Sequence, residues 1–189
     1  MTETNACQEC GFSDEGVTPA DAIEAIRRFG KRYRAPLTRF LPGEDGDRVV
    51  RQRPAPEVWS ALEYACHVRD VFDWYDERVK ASLAEDGVDV PALGPDEAAE
   101  QGRYNEQDPV EVADALAANA ERLAATFESA PADGWDRVHL RRGQPRTVLF
   151  TARRAVHEGN HHLLDIGRGL RAVREAVREA GQAGQAGQA

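Results

Sequence analysis

The chain has 189 residues, a net charge of −9, and 41% hydrophobic against 30% charged residues, which fits one ordinary soluble domain with a sizeable core. It holds no apolar run of the roughly 18 residues that a membrane helix needs. The acidic balance argues against a nucleic-acid surface, which requires a basic patch.

Residues 1–18 read as a polar arm. Its start, Met1-Thr2-Glu3-Thr4-Asn5-Ala6, is unlike a signal peptide, so a cytoplasmic setting is expected. The arm carries Cys7-Gln8-Glu9-Cys10-Gly11, the spacing of half a zinc knuckle, and a whole structural site needs four ligands. No second half follows in sequence. Cys66 precedes His67 on a helix, where adjacent side chains diverge by about 100° and do not share an ion. A reducing cytosol also discourages a structural disulfide. Three readings of the arm stay open: a redox-sensitive dithiol, a four-cysteine zinc site completed across a homodimer, and a remnant with no site.

Four helices are expected, near 19–41, 59–84, 108–130 and 147–176. The first starts with Thr18 as N-cap, Pro19 at N1 and Asp21 in the first turn. Its apolar stripe is Ile23, Ile26, Gly30, Tyr33, Leu37 and Phe40, and Pro36 predicts a kink near Arg32. Ser60-x-x-Glu63 is a capping box for the second helix, whose inner stripe would be Tyr64, His67, Val71 and Trp74. Asp108 caps the third helix, which carries the stripe Ala113, Leu116, Ala120, Leu123 and Phe127. On the fourth, Phe150, Arg154, His157, His161, Leu164 and Arg168 share one face. Residues 43–56, 86–107 and 132–146 read as connections. The Ala-Gly-Gln repeats of 177–189 read as a disordered tail. The whole is an all-α four-helix bundle over 19–176.

The chemistry lies in the histidines. His157 and His161 are four apart, so both can aim a ring nitrogen at one ion above the helix surface. His67, among apolar residues of the second helix, would need partners for its nitrogens, and a shared metal supplies one. His67, His157 and His161 with an open fourth position make a site of the catalytic type, with zinc the expected ion and nickel or iron(II) compatible with the same ligands. His162 is rotated about 100° from His161 and reads as solvated or packed, and His139 reads as a loop residue. Glu63, Asp70 and Asp165 are candidate outer partners of the ligand rings. Arg154 is a candidate substrate contact.

Trp59-x-x-x-Glu63-x-x-x-His67, followed later by His157-x-x-x-His161, resembles the DinB/YfiT-like superfamily, and in particular an actinobacterial subgroup linked to mycothiol-dependent enzymes. The resemblance runs from about Thr18 to Arg174 and takes in Tyr104-Asn105-Glu106-Gln107-Asp108-Pro109, Trp135, Gly143 and Thr147-Val148. It implies a four-helix bundle with a three-histidine metal site at one end, and thiol-dependent chemistry. The expected function is therefore a metal-dependent S-transferase that joins a small thiol, with mycothiol as the candidate, to an electrophile. The alternatives are a thiol-dependent isomerase of the maleylpyruvate type and a non-catalytic metal-binding or thiol-redox module that uses Cys7 and Cys10. The expected partners are a small thiol, a small electrophile and a second copy of the chain, with no nucleic acid and no membrane.

Overall fold

In the computed structural model, residues 6–91 and 94–186 are described. Four long helices carry the fold: α1 (Pro19–Thr38), α3 (Ala61–Ala84), α5 (Pro109–Glu128) and α6 (Val148–Ala186). Two short helices, α2 (Gly46–Arg51) and α4 (Pro95–Gln101), lie in the connections. No helix is long and apolar enough to cross a membrane among the described residues.

The helix starts follow from local hydrogen bonding. Thr18 Oγ1 accepts from the Asp21 N–H at 3.2 Å while Asp21 Oδ2 accepts from the Thr18 N–H at 3.0 Å, and Ser60 and Glu63 form the same reciprocal pair at the start of α3. Asp108 Oδ1 accepts from the N–H groups of Val110 and Glu111 at 2.8 and 3.0 Å. Thr147 Oγ1 accepts from the Phe150 N–H at 2.9 Å and opens α6. Pro36 lies near the end of α1, which stays helical to Thr38. Phe40 falls outside that helix and is exposed.

The helices bury one stripe each. α1 and α3 both pack against α5 and α6, so the order around the bundle is α1–α5–α3–α6. Phe29, Tyr33, Leu62, Phe72, Leu116, Leu123, Phe127 and Ile166 are almost completely enclosed, and burying each such side chain stabilises the fold by roughly 1.5–3 kcal/mol. On α6 the buried stripe includes Val148, Ala152, Ala155, Gly159, Ile166, Leu170 and Val173. Beyond Arg174, which pairs with Glu44, the described side chains of α6 are exposed or nearly so, and the helix runs on through Ala186.

The connector regions hold more structure than their composition suggests. Val88–Asp89 (β1), Val138–Arg141 (β2) and Gln144–Thr147 (β3) form a small sheet in the order β1-β2-β3. β2 and β3 are an antiparallel hairpin in which His139 opposes Arg146, and β1 joins β2 in parallel with Val88 opposite His139. Arg142 and Gly143 both have positive φ, 53° and 71°, as the tight two-residue hairpin turn demands. His139, expected in a loop, is a buried residue of β2.

Candidate metal centres and cleft

α6 presents two faces to two different sets of donors. The helix is fixed against α1 at Gly159, where a Cβ would stand 2.4 Å from the Phe29 ring. Tyr33 locks the same point by donating its hydroxyl to the Gly159 carbonyl at 2.8 Å. With that phase set, Glu158 and His162 turn toward α3, and His157 and His161 turn toward the N-terminal arm.

On the α3 side, His67, Glu158 and His162 offer three ligand atoms within 4.8 Å of one another. Glu158 Oε2 is 3.2 Å from His162 Nε2 and 3.8 Å from His67 Nε2. His162 Nδ1 faces Asp165 Oδ2 at 3.0 Å. Tyr64 stacks on His162 with ring centroids 5.2 Å apart, and Trp59 lies against His67 at 5.3 Å. His67 is buried and its Nδ1 has no hydrogen-bond partner. Burial alone would raise the Glu158 carboxyl, but hydrogen bonds from His162 and His67 and the Arg154 charge hold it far below the usual carboxylate range. Burial alone would lower His162, and its bonds to Asp165 and Glu158 outweigh that and raise it to about 9. Two imidazoles and an ionised carboxylate at this separation, one ring having an orphaned buried nitrogen, are a donor set that a divalent cation fits.

On the arm side, Cys7, Cys10, His157 and His161 offer four ligand atoms, also within 4.8 Å of one another. Cys7 Sγ is 3.6 Å from His161 Nδ1. His161 Nε2 faces Glu9 at 3.4 Å and Asp165 at 3.6 Å. His157 stacks on Phe12 with centroids 5.3 Å apart, and its Nε2 is buried with no hydrogen-bond partner. Backbone hydrogen bonds from Cys10 and Glu9, with His157 beside them, bring the Cys7 thiol down to about 6.

The three histidines read together in the sequence are thus divided: His157 and His161 are neighbours, 5.4 Å between ring centroids, while His67 pairs with Glu158 and His162. Glu63 is occupied by Arg53 and the Ser60 cap, and Asp70 by Arg69 and Tyr104. Cys66 is buried against the Tyr104 carbonyl and takes no part. The signal that places His162 was present in the sequence. Ala155, Gly159 and Ile166 are small or apolar at helical spacing, and His162 falls in their line, whereas His161 does not.

Both sets border a cleft of about 870 Å³. Its lining includes five arginines: Arg78, Arg141, Arg146, Arg153 and Arg154. Arg154 is paired with Glu158 and touches His157 Nδ1 at 2.7 Å. Arg153 donates to the Val17 carbonyl at 3.0 Å. Arg78 is buried and donates to the Pro91 carbonyl at 3.1 Å. Among the described residues, Arg78, Arg141 and Arg146 have no carboxylate partner. Burial lowers Arg78, and Arg141 lowers it further. An unpaired cationic group of this kind favours an anionic ligand.

Residues 20–166 match the family model of the DinB superfamily. No curated protein sequence matches the chain. Among solved structures it is similar to YfiT from Bacillus subtilis, described as "a probable metal-dependent hydrolase with an unusual four-helix bundle topology". The TM-score is 0.73 at 13% identity, covering 90% of this chain and 92% of that one, and at that identity the likeness speaks for the fold.

Proposed function

As this chain belongs to the DinB superfamily, we propose that it is a metal-dependent enzyme that holds a divalent ion on His67, Glu158 and His162 and acts on an anionic substrate. The observation that carries the reading is the placement of this three-donor set beside a cleft whose lining includes Arg78, Arg141 and Arg146, which have no carboxylate partner among the described residues. A divalent ion held there supplies a Lewis acid and lowers the pKa of a water or thiol at its remaining position. Nitrogen and carboxylate donors suit zinc, with nickel and iron(II) next in order of fit.

The chain's own residues do the rest. Asp165 holds the His162 ring through Nδ1, which sets its tautomer and leaves Nε2 as the ligand atom. Arg154 anchors the Glu158 carboxylate from the other side. Trp59 and Tyr64 fix the tilt of the two imidazoles and screen them from bulk water. Arg141 and Arg146, on opposite strands of the hairpin, reach into the cleft and offer planar forks for a carboxylate or phosphate. Arg78, buried in the same lining, adds charge.

The two-histidine, one-carboxylate set is one that metal-dependent hydrolases use, so hydrolysis is the first reading, and YfiT's description agrees with it. The second is transfer of a small thiol, such as mycothiol, to an electrophile. The cleft volume of about 870 Å³ favours it, being near the top of the range for small-molecule sites, with room for the thiol's body beside the electrophile. The test is to load the reduced protein with zinc, nickel or iron(II) and offer anionic nitrophenyl esters and thiol-reactive electrophiles, with and without small thiols. Turnover that needs no thiol and disappears in His162→Ala supports hydrolysis. Turnover that requires a thiol and disappears in the same variant supports transfer. Metal-loaded protein that turns over none of them acts as a non-catalytic metal module.

A further inference from the structure

The arm and α6 carry a second site that the enzyme reading does not use. We propose that Cys7, Cys10, His157 and His161 bind a zinc ion in a closed, tetrahedral Cys2His2 site that ties the N-terminal arm to the bundle. It stands independently of whether His67, Glu158 and His162 hold a catalytic ion.

The arm has the local fold of a metal knuckle. The Gly11 N–H donates to the Cys7 carbonyl and the Cys7 N–H to the Phe12 carbonyl, both at 2.8 Å, so the chain turns back on itself between the two thiols. Gly11 sits at φ +71°, a conformation that glycine adopts without strain. The Cys-x-x-Cys spacing then brings two sulfurs to one side of the turn. The arm's own apolar groups are few: Phe12 and Val17 are its partly buried contacts with the core.

α6 supplies the other half. His157 and His161 are one helical turn apart and offer one nitrogen each to the same point as the sulfurs. Around a tetrahedral zinc with Zn–S of about 2.3 Å and Zn–N of about 2.0–2.1 Å, sulfur and nitrogen stand roughly 3.5 Å apart. The separation of Cys7 Sγ and His161 Nδ1 is 3.6 Å. The buried, partnerless Nε2 of His157 gains the bond it lacks. Metal on that nitrogen makes Nδ1 a donor, so Arg154 keeps its pair with Glu158 and gives up His157.

The surroundings suit such an ion. His161 has Glu9 and Asp165 within reach of Nε2 to accept its N–H, the outer-partner arrangement that fixes a ligand ring. Two thiolates neutralise the dication. Four protein donors leave no open position, which marks a structural site. Cys7, Phe12 and Asp14 line the cleft, so the ion fixes one wall of it. A half-knuckle that lacked a partner in sequence thus finds one on its own chain.

Cobalt(II) is the probe, because thiolate ligation gives it a near-ultraviolet charge-transfer band and tetrahedral geometry gives intense visible bands. The reduced full chain loaded with cobalt should show both, as a monomer. Cys7→Ser/Cys10→Ser should lose the charge-transfer band, and His157→Ala/His161→Ala should lose the tetrahedral visible spectrum. His67→Ala/His162→Ala should keep both, which separates this site from the other. A saturated intact protein without the charge-transfer band would overturn the proposal. So would bands unchanged in His157→Ala/His161→Ala, or bands that appear only when two chains associate. Circular dichroism of each variant, unchanged in its helical signal, ensures that a lost band reports a lost ligand.

Discussion

His67 of α3 and His162 of α6 meet edge to face, with ring centroids 4.9 Å apart. Glu158 lies against both, and Asp165 holds the far side of His162. Because Asp165 also faces His161, it is an outer partner common to both donor sets. Asp165→Asn should therefore weaken metal binding at each of them by about 10- to 100-fold without disturbing the helix. Competition against a chromophoric chelator measures the two affinities, and a variant that binds as tightly as the intact protein would remove Asp165 from both sites.

The arginines of the cleft make charge selectivity measurable. Among the described residues Arg141 and Arg146 have no carboxylate partner, and a lost charge-assisted contact to a substrate costs about 1.5–3 kcal/mol. For matched charged and uncharged versions of one substrate, Arg141→Ala/Arg146→Ala should raise KM for the anion at least tenfold and leave the neutral analogue within about twofold. Equal effects on both would assign the hairpin a structural role only.

His139 should make stability depend on pH. Burial, and then the charges of Arg78, Arg141 and Arg146, push it down to about 4, against about 6.5 in an unfolded chain. Between those values the unfolded state binds the extra proton. The contribution is thus fully present above pH about 6.5 and is lost as pH falls toward 4, up to about 3 kcal/mol in all. Urea unfolding of the intact protein and His139→Gln at about pH 7 and about pH 5 checks the sign: the intact protein should lose more stability than the variant over that interval.

Gly159 should not tolerate a methyl group. A Cβ there meets the Phe29 ring at 2.4 Å, and overpacking of a close-packed contact costs about 1–3 kcal/mol. Gly159→Ala should lower the unfolding free energy, measured with urea, by that amount, and Phe29→Leu in the same chain should recover part of it. A midpoint that rises with Gly159→Ala would mean that the helices separate more freely than the contact suggests.

Much of the scaffold was legible because it rests on local rules. Thr18, Ser60 and Asp108 announce their helices, and the stripes of α1 and α5 have clear helical periods. The sheet was not, because β1 is two residues long and pairs in parallel with a strand about fifty residues away; no alternation can be read from so short a piece. The division of the histidines between two faces was harder to read for a different reason. His157/His161 and Glu158/His162 obey the same four-residue spacing, so spacing alone does not choose which pair faces α3. The phase of α6 chooses, and Gly159 against Phe29 sets that phase. The nearness of the Cys7–Cys10 turn to His157 and His161 was hidden by separation along the chain, since those histidines lie on the last helix.

His67, Glu158 and His162 are proposed to hold a divalent ion. The most direct measurement is metal content after equilibrium dialysis of Cys7→Ser/Cys10→Ser protein, a background that disables the arm site. One tightly held ion per chain is expected in that background, falling to none when His162→Ala or His67→Ala is added and unchanged when His161→Ala is added. An ion retained in His162→Ala, or lost in His161→Ala, would contradict it.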